Sequence, residues 1–319
     1  MNCRLIFGLS VVLASFGCVP ETETPADAET STETGEPGTG DGDGDPATGD
    51  GDGDPSGDGD GDGTTSGDGD GDPTTSGDGD GDPTTSGDGD GEPQPEPDLE
   101  LFFVGNSYTA FNNLPQLVVE IAAGADLFFT ANAVTPGGAW VEDHLMNPTV
   151  LEGLGQPYDA IVLQGQSVQP VIATVEFQAA VVAFSELMAM GGDGRLVLYQ
   201  TWPRAETSEV LDQLGMSQLE MYEALANGYQ GAADLAGAEV GRVGDAWMDA
   251  LALEPPIELY TGDGSHPSFA GSYLAACVLF GQLADTPCGE SAYAPDNLSE
   301  EDRTRLQAMA DMTNGFVDP

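Results

Sequence analysis

The chain is short of positive charge. It has no lysine and only six arginines, whereas aspartate and glutamate together number 56, so the formal net charge is −50. Proteins bind DNA and RNA largely by neutralising phosphates with lysine and arginine. We therefore expect no nucleic-acid partner.

A long apolar run is also missing. The first 18 residues, MNCRLIFGLSVVLASFGC, combine a positive charge at Arg4 with an apolar run that is too short to cross a bilayer. This pattern predicts a signal peptide over residues 1–18 and an exported protein. Gly17 before Cys18 resembles the end of a bacterial lipoprotein signal, which predicts lipidation of Cys18 and attachment to the cell envelope. Ordinary cleavage and secretion is the alternative.

Cysteine is scarce, and only Cys277 and Cys288 lie far from the N-terminus. An exported protein meets an oxidising compartment, where paired cysteines are commonly oxidised. A disulfide between these two would close a short loop and contribute about 3 kcal/mol on the chain-entropy model. We favour this disulfide over two free thiols.

Large apolar residues are almost absent from residues 21–100, which hold 27 of the 56 acidic residues and no arginine. Such a segment cannot bury enough apolar surface to offset the entropy of ordering its backbone. We expect residues 19–97 to be a disordered, extended linker. Its repeat SGDGDGDPTT has the first aspartate spacing of a calcium loop, but a proline stands where the turn glycine belongs, so we expect no calcium site.

Residues 98–319 have the composition of one folded domain. Within them, residues 101–319 hold the remaining 29 acidic residues and five arginines, a net charge near −24. Apolar runs of strand length alternate with helical patterns, which favours a parallel sheet with crossover helices. The predicted strands are 99–105, 127–134, 159–164, 195–201 and 238–244. The predicted helices are 114–124, 175–192, 208–236, 267–284 and 299–316. The fold class is thus a three-layer α/β/α sandwich around a mostly parallel, about five-stranded sheet.

Ligands of such sheets bind at the carboxyl ends of the strands, and two segments there carry candidate chemistry. FFVGNSYT places Ser107 on the turn after the first strand. GDGSHPS places Asp263 three residues before His266, where a carboxylate can fix the tautomer of the imidazole. Helix capping by Asp263 and Ser265 explains the second segment equally well.

Four segments, in order, resemble the sequence blocks of the SGNH/GDSL hydrolases. GNSYT is similar to their first block, TPGGAW to the second, YDAIVLQGQS to the third, and DGSHPSFAGSYLAA to the last, DxxHP followed by a helix. The resemblance implies the flavodoxin-like fold of that family and a serine hydrolase that acts on carboxylic esters without a cofactor or metal.

Carried over by position, the resemblance implies that Ser107 is the nucleophile, His266 the base and Asp263 the residue that orients it. The oxyanion hole would consist of the backbone N–H groups of Ser107 and Gly138 and a side chain of the third block. Where the family has GxND, this chain has QGQS, so Gln166 would replace the usual asparagine with one extra methylene. The first block has Asn106 where aspartate is commoner.

Three residues are candidates for the substrate pocket: Asn106, Trp140 and Trp202. Both tryptophans follow predicted strands on the ligand side, where an aromatic ring can stack on a sugar, although many such rings line the core or a pocket rim instead. His144 lies beside Glu142 and Asp143, but their spacing matches no metal site, and we expect a solvated helix face.

The sequence thus predicts an exported serine esterase that removes an acyl group from a small molecule or polysaccharide, and acetyl is the acyl group we expect. A carbohydrate-binding module that has lost turnover on the same scaffold is one alternative, since fold does not fix function. A structural surface protein whose acidic linker is the active part is another. Esterase activity of the purified protein separates the first from both.

Overall fold

The computed structural model describes residues 95–318. The predicted signal peptide, Cys18 and nearly all of the acidic linker lie outside the described residues. No helix among residues 95–318 is both long enough and apolar enough to cross a membrane.

The core of the fold is a five-stranded parallel sheet in the order β2-β1-β3-β4-β5. The strands are β1 (Leu99–Val104), β2 (Phe129–Val134), β3 (Ala160–Leu163), β4 (Arg195–Tyr199) and β5 (Glu239–Gly241). Each lies within one of the five predicted strands, and the predicted fold class is confirmed. The chain reverses direction across the sheet between β2 and β3, so the carboxyl ends of β1 and β3 lie side by side, as at the ligand sites of such sheets.

Helices cover both faces of the sheet. They are α1 (Ser107–Ala110), α2 (Leu114–Gly124), α3 (Val141–His144), α4 (Pro148–Gly153), α5 (Gln169–Ile172), α6 (Thr174–Gly191), α7 (Glu209–Leu214), α8 (Gln218–Ala236), α9 (Val243–Leu251), α10 (Phe269–Ala284) and α11 (Glu300–Asn314), with 3₁₀ turns at Phe111–Asn113 and Cys288–Glu290. Alternate residues of each strand point to opposite faces. Leu101 and Phe103 therefore pack with α2, α9 and α10, whereas Phe102 and Val104 pack with α6 and α8.

Two predicted elements differ from those observed. The helix predicted over 208–236 is divided into α7 and α8, because Gly215 has a positive φ of 65° and ends α7. The fifth strand ends at Gly241 rather than at 244, and Val243 already begins α9. The short helices α3, α4 and α5 were not predicted, since four to six residues are too few to show a helical period.

Cys277 and Cys288 are joined by a disulfide that links α10 to the turn after it. Both cysteines are buried. Asp311 of α11 accepts hydrogen bonds from the N–H groups of Cys288 and Gly289 at 2.6 and 3.0 Å. The disulfide and this carboxylate together fix the turn at Cys288 against α10 and α11, on the face of the sheet that α2 also covers.

Candidate active site

Ser107 begins α1, directly after the turn that follows β1. The turn is tight at Gly105, where a Cβ atom would collide with the side-chain oxygens of Thr109 and Gln164. Any larger residue would have to displace these two side chains. The Ser107 side chain thus stands at the carboxyl edge of the sheet and at the N-terminus of a helix, where free N–H groups favour negative charge.

Ser107, His266 and Asp263 form one hydrogen-bonded chain. His266 Nε2 lies 2.9 Å from Ser107 Oγ, and His266 Nδ1 lies 2.6 Å from Asp263 Oδ2. The other oxygen of Asp263 accepts the N–H groups of Ser265 and His266, both at 2.9 Å. The loop is closed by the N–H of Thr261, which donates to the carbonyl of His266 at 2.8 Å. The sequence placed these three side chains in one site, and the structure brings them together.

The carboxyl group of Asp263 is held in its ionised form. Burial opposes ionisation, but the hydrogen bonds from the His266 ring, from the N–H groups of His266 and Ser265 and from Thr261 outweigh it, and the pKa of Asp263 lies well below its usual value. A carboxylate that accepts the Nδ1 proton leaves Nε2 of His266 as the proton acceptor facing Ser107.

Two aromatic rings fix the imidazole of His266. Phe111 stacks on it with ring centroids 4.3 Å apart, and Tyr108 meets it edge-on at 5.5 Å. The His266 side chain keeps 27% of its surface exposed, enough for a reactant to reach it. Neither ring was predicted to belong to the site, although both lie within four residues of Ser107 and Tyr108 is part of GNSYT.

The candidate oxyanion-hole donors lie on three neighbouring turns. Within the described chain, the backbone N–H groups of Ser107 and Gly138 donate to no other group. The side-chain oxygen of Gln166 accepts the N–H groups of Val168 and Gln169 at 2.8 and 3.2 Å. Its Nε2 is consequently the end of the amide that can serve as a donor, and the role of Gln166 stays a prediction.

Asn106 was predicted to line the substrate pocket, and this is wrong. Its side chain is 2% exposed and all of its polar groups are used within the protein. The amide nitrogen donates to the carbonyl of Ala139 at 3.1 Å, and the oxygen accepts the N–H of Tyr108 and the side chain of Gln164, both at 3.1 Å. Asn106 therefore ties the turn that carries Ser107 to the turns after β2 and β3. The buried Gln164, which the sequence analysis did not single out, is its partner.

The prediction that Trp202 lines the pocket is also wrong. Its side chain is fully buried, stacked between Tyr108 at 4.6 Å and Trp247 at 3.9 Å, so no sugar can reach its face. Trp140 follows the turn that carries Gly138 and is half-buried. Its backbone N–H donates to the carboxylate of Asp143 at 2.9 Å. Of the three pocket candidates, Trp140 alone keeps an accessible surface at this edge of the sheet.

His144 does not lie on a solvated helix face as expected. It is the last residue of α3, it is fully buried, and neither ring nitrogen has a well-aligned hydrogen-bond partner among the described residues. Burial lowers the pKa of His144, and the negative charge of Asp143 opposes this only in part. No cluster of three or more metal-ligand side chains exists within residues 95–318.

Replacing His144 with leucine should flatten the pH dependence of stability. The pKa of His144 is depressed in the folded state, so the unfolded chain binds more protons below its ordinary pKa of 6.5. The contribution of His144 to stability is therefore complete above pH 6.5 and is lost as the pH drops, by at most about 1.4 kcal/mol per pH unit for one group. Urea unfolding at pH 7.5, 6.0 and 5.0 should show this extra loss in the wild type and not in His144→Leu. Equal slopes would mean that His144 binds its proton as readily in the folded as in the unfolded chain.

No protein-family model matches this chain, and no curated protein does. Solved structures do match it. A DUF4886 family protein from Bacteroides uniformis ATCC 8492 has a TM-score of 0.61 at 19% identity, over 66% of this chain and 93% of its own. A proposed SGNH hydrolase from Slackia heliotrinireducens has a TM-score of 0.51 at 30% identity, over 57% of this chain and 97% of its own.

The first of these similarities concerns the fold alone, because the identity is low. The second covers nearly the whole length of a protein that shares 30% of its residues with this chain. The chain belongs to the SGNH hydrolase family, and the resemblance of its four sequence blocks to that family is confirmed.

Proposed function

We propose that the protein is a serine esterase that hydrolyses a carboxylic ester through an acyl-enzyme. The observation that carries the proposal is the hydrogen-bonded chain from Ser107 Oγ through His266 to Asp263, with both contacts at 2.9 Å or less. A serine paired with an oriented base is the arrangement that activates a hydroxyl for attack on a carbonyl carbon.

In this mechanism Ser107 Oγ attacks the ester carbon while its proton passes to Nε2 of His266. Asp263 accepts the Nδ1 hydrogen and stabilises the imidazolium. The carbonyl oxygen becomes an oxyanion, which the N–H groups of Ser107 and Gly138 and the amide of Gln166 would bind. Collapse breaks the bond to the alcohol, which takes the proton from His266. Water then repeats the sequence on the acyl-enzyme and releases the acid.

For the substrate we propose an acetyl ester, carried by a small molecule or a carbohydrate. The half-buried ring of Trp140 supports the carbohydrate because it follows the turn of Gly138, and aromatic rings commonly stack on sugars. Acetate release from acetylated polysaccharides, compared with release from esters of longer acids, would decide between these substrates. A rate that increases with acyl length would contradict the acetyl assignment.

For the location we propose export and a lipid anchor at Cys18, supported by the short apolar run and by Gly17 before the cysteine. The mass of the N-terminal peptide of the mature protein tests this. A peptide that begins at Cys18 without lipid, from a protein found in the soluble fraction, would exclude the anchor.

The test of the enzymatic proposal is hydrolysis of 4-nitrophenyl acetate together with labelling by a fluorophosphonate. We expect turnover and one adduct, on the peptide that contains Ser107. Labelling on another peptide, or none on an active enzyme, would contradict the role of Ser107. Binding of an acetylated sugar without turnover or labelling would instead favour a binding module.

Gln166→Ala should reduce kcat if its amide is an oxyanion-hole donor. Removing one such donor typically costs about 2.7 to 4 kcal/mol of activation free energy, or roughly 10²- to 10³-fold in rate. The measurement is kcat for 4-nitrophenyl acetate, with Gln116→Ala on the exposed face of α2 as the control. A loss below about tenfold would mean that the backbone N–H groups of Ser107 and Gly138 suffice.

A further inference from the structure

Arg204 connects two hydroxyl groups at the edge of the candidate active site. It lies in the loop after β4, and its guanidinium donates from Nη1 to the hydroxyl of Tyr108 and from Nη2 to Ser167 Oγ at 2.8 Å. The Tyr108 hydroxyl also shares a hydrogen bond of 2.9 Å with Ser265 Oγ. One guanidinium thus bonds directly to Tyr108 in α1 and to Ser167 after β3, and through the Tyr108 hydroxyl it is linked to Ser265 in the loop of His266.

Each of these three hydroxyls belongs to a residue next to a candidate site residue. Tyr108 follows Ser107, the proposed nucleophile. Ser167 follows Gln166 on the turn after β3, and Ser265 precedes His266. The network therefore reaches every loop that must keep its position for the proton to pass from serine to histidine.

The backbone that carries Arg204 is itself fixed. Its carbonyl accepts a hydrogen bond from Gln218 of α8 at 2.9 Å, and its N–H lies 3.4 Å from the sulfur of Met221. The next residue, Ala205, donates its backbone N–H at 2.9 Å to the carbonyl of Gly264, in the loop that carries His266. The backbone of Arg204 is consequently attached both to α8 and to the loop that carries His266.

The central hydroxyl is equally constrained. The Tyr108 ring is 2% exposed and stacks on Trp202, with the ring planes only 5° apart. Trp202 in turn donates its indole N–H to the carbonyl of Ser265 at 3.0 Å. The buried Trp202 thus contacts both Tyr108 and Ser265 and limits the movement of each.

Arg204 differs from the other four arginines of residues 95–318. Arg195, Arg242, Arg303 and Arg305 each donate to a carboxylate or to a main-chain carbonyl. Arg204 donates only to hydroxyls within the described chain, and it forms no ion pair there. Its rigid fork of donors fixes the separation of its two acceptors, which the single ammonium of a lysine cannot do.

We propose that Arg204 is a positioning residue for the reaction. It acts through the hydroxyls of Tyr108, Ser167 and Ser265. These contacts keep the segments that carry Ser107, Gln166 and His266 in fixed positions relative to one another. The effect on catalysis rests on the proposed esterase function. Misplacement of reacting groups by about 1 Å can cost 10²-fold in rate, so the contacts of one guanidinium are sufficient to matter.

The test compares kcat and KM for 4-nitrophenyl acetate in Arg204→Met, Arg204→Lys, Tyr108→Phe and the double variant Arg204→Met/Tyr108→Phe. We expect Arg204→Met to lower kcat about 10- to 100-fold and to leave KM within about twofold. Lysine should not restore kcat, because it keeps the charge but not the fork. The losses in the double variant should not multiply, because both single variants break the same network. Arg242→Met and Tyr158→Phe, which remove a guanidinium and a phenol hydroxyl elsewhere, are the matched controls.

Four results would overturn the proposal: a kcat within twofold of wild type in Arg204→Met, a rise in KM with unchanged kcat, full rescue by lysine, or losses that multiply. A second measurement does not depend on activity. The chain has only two histidines, so the ring signals of His266 can be followed by NMR. We expect one sharp set in the wild type and broadened or multiple sets in Arg204→Met.

An unchanged His266 signal would contradict the positioning role even if the protein hydrolyses no ester. Absence of wild-type turnover and of Ser107 labelling would contradict the proposed function alone. The two hypotheses can therefore fail separately.

Discussion

Ser107→Ala and His266→Ala should each lower kcat for ester hydrolysis by about 10³- to 10⁶-fold, and the double variant should be little worse than either. The reason is that the two residues act as a unit. Without the hydroxyl there is no nucleophile to activate, and without the imidazole the proton of Ser107 has no acceptor 2.9 Å away. The measurement is steady-state kcat for 4-nitrophenyl acetate, corrected for spontaneous hydrolysis.

Ser185→Ala is the matched control for the serine substitution, because Ser185 lies on α6 and its hydroxyl only donates to a carbonyl of its own helix. Its rate should equal that of the wild type. Retention of more than about a tenth of wild-type kcat in Ser107→Ala would exclude the acyl-enzyme mechanism. Losses that multiply in the double variant would show that the two residues do not share one step.

The sheet could be predicted because its strands are buried on both faces. A strand covered by helices on each side reads as a nearly continuous apolar run, and such runs stand out against the amphipathic helices between them. The short helices α3, α4 and α5 carry no such pattern, because a helix of four to six residues shows little more than one turn. These helices nevertheless matter, since α3 begins directly after the turn of Gly138 and Trp140.

Ser107, Asp263 and His266 could be identified as candidate site residues from the sequence because each lies in a block with its own local geometry. Asp263 and His266 are three residues apart on one tight loop, so their contact is local. The contact of His266 with Ser107 spans 159 residues, and it was expected from the family resemblance of the two blocks and from the meeting of both loops at one edge of the sheet.

The direction of large side chains could not be predicted. Trp202 follows a strand on the ligand side, yet it is buried because Trp247 and Tyr108, both distant in sequence, enclose its two faces. His144 is buried for the same kind of reason, although its neighbours Glu142 and Asp143 are acidic. Whether a ring points to solvent or to the core depends on partners that no local pattern reveals.

Arg204 illustrates the same limit for polar residues. Nothing in the segment YQTWPRAE distinguishes it from the arginines that form ordinary surface contacts. Its role becomes visible only when the hydroxyls of Tyr108 and Ser167 are seen within reach of one guanidinium. Scarcity of positive charge was the only available signal, since each arginine of so acidic a domain is a candidate for a specific contact.

Asp263→Asn should lower kcat by about 10²- to 10⁴-fold, less than removal of Ser107 or His266. In the wild type, Oδ2 of Asp263 accepts from His266 Nδ1 at 2.6 Å, while Oδ1 accepts two backbone N–H groups of the loop. In asparagine the oxygen can keep the backbone bonds, but the NH₂ group then faces Nδ1 and favours the tautomer with the proton on Nε2. An imidazole in that tautomer cannot accept the proton of Ser107, although the base itself remains in place.

The measurement is kcat together with the thermal unfolding midpoint, which should stay close to that of the control Asp302→Asn at the start of α11. If kcat falls less than about threefold, Asp263 does not set the tautomer of His266, and its contacts only shape the loop.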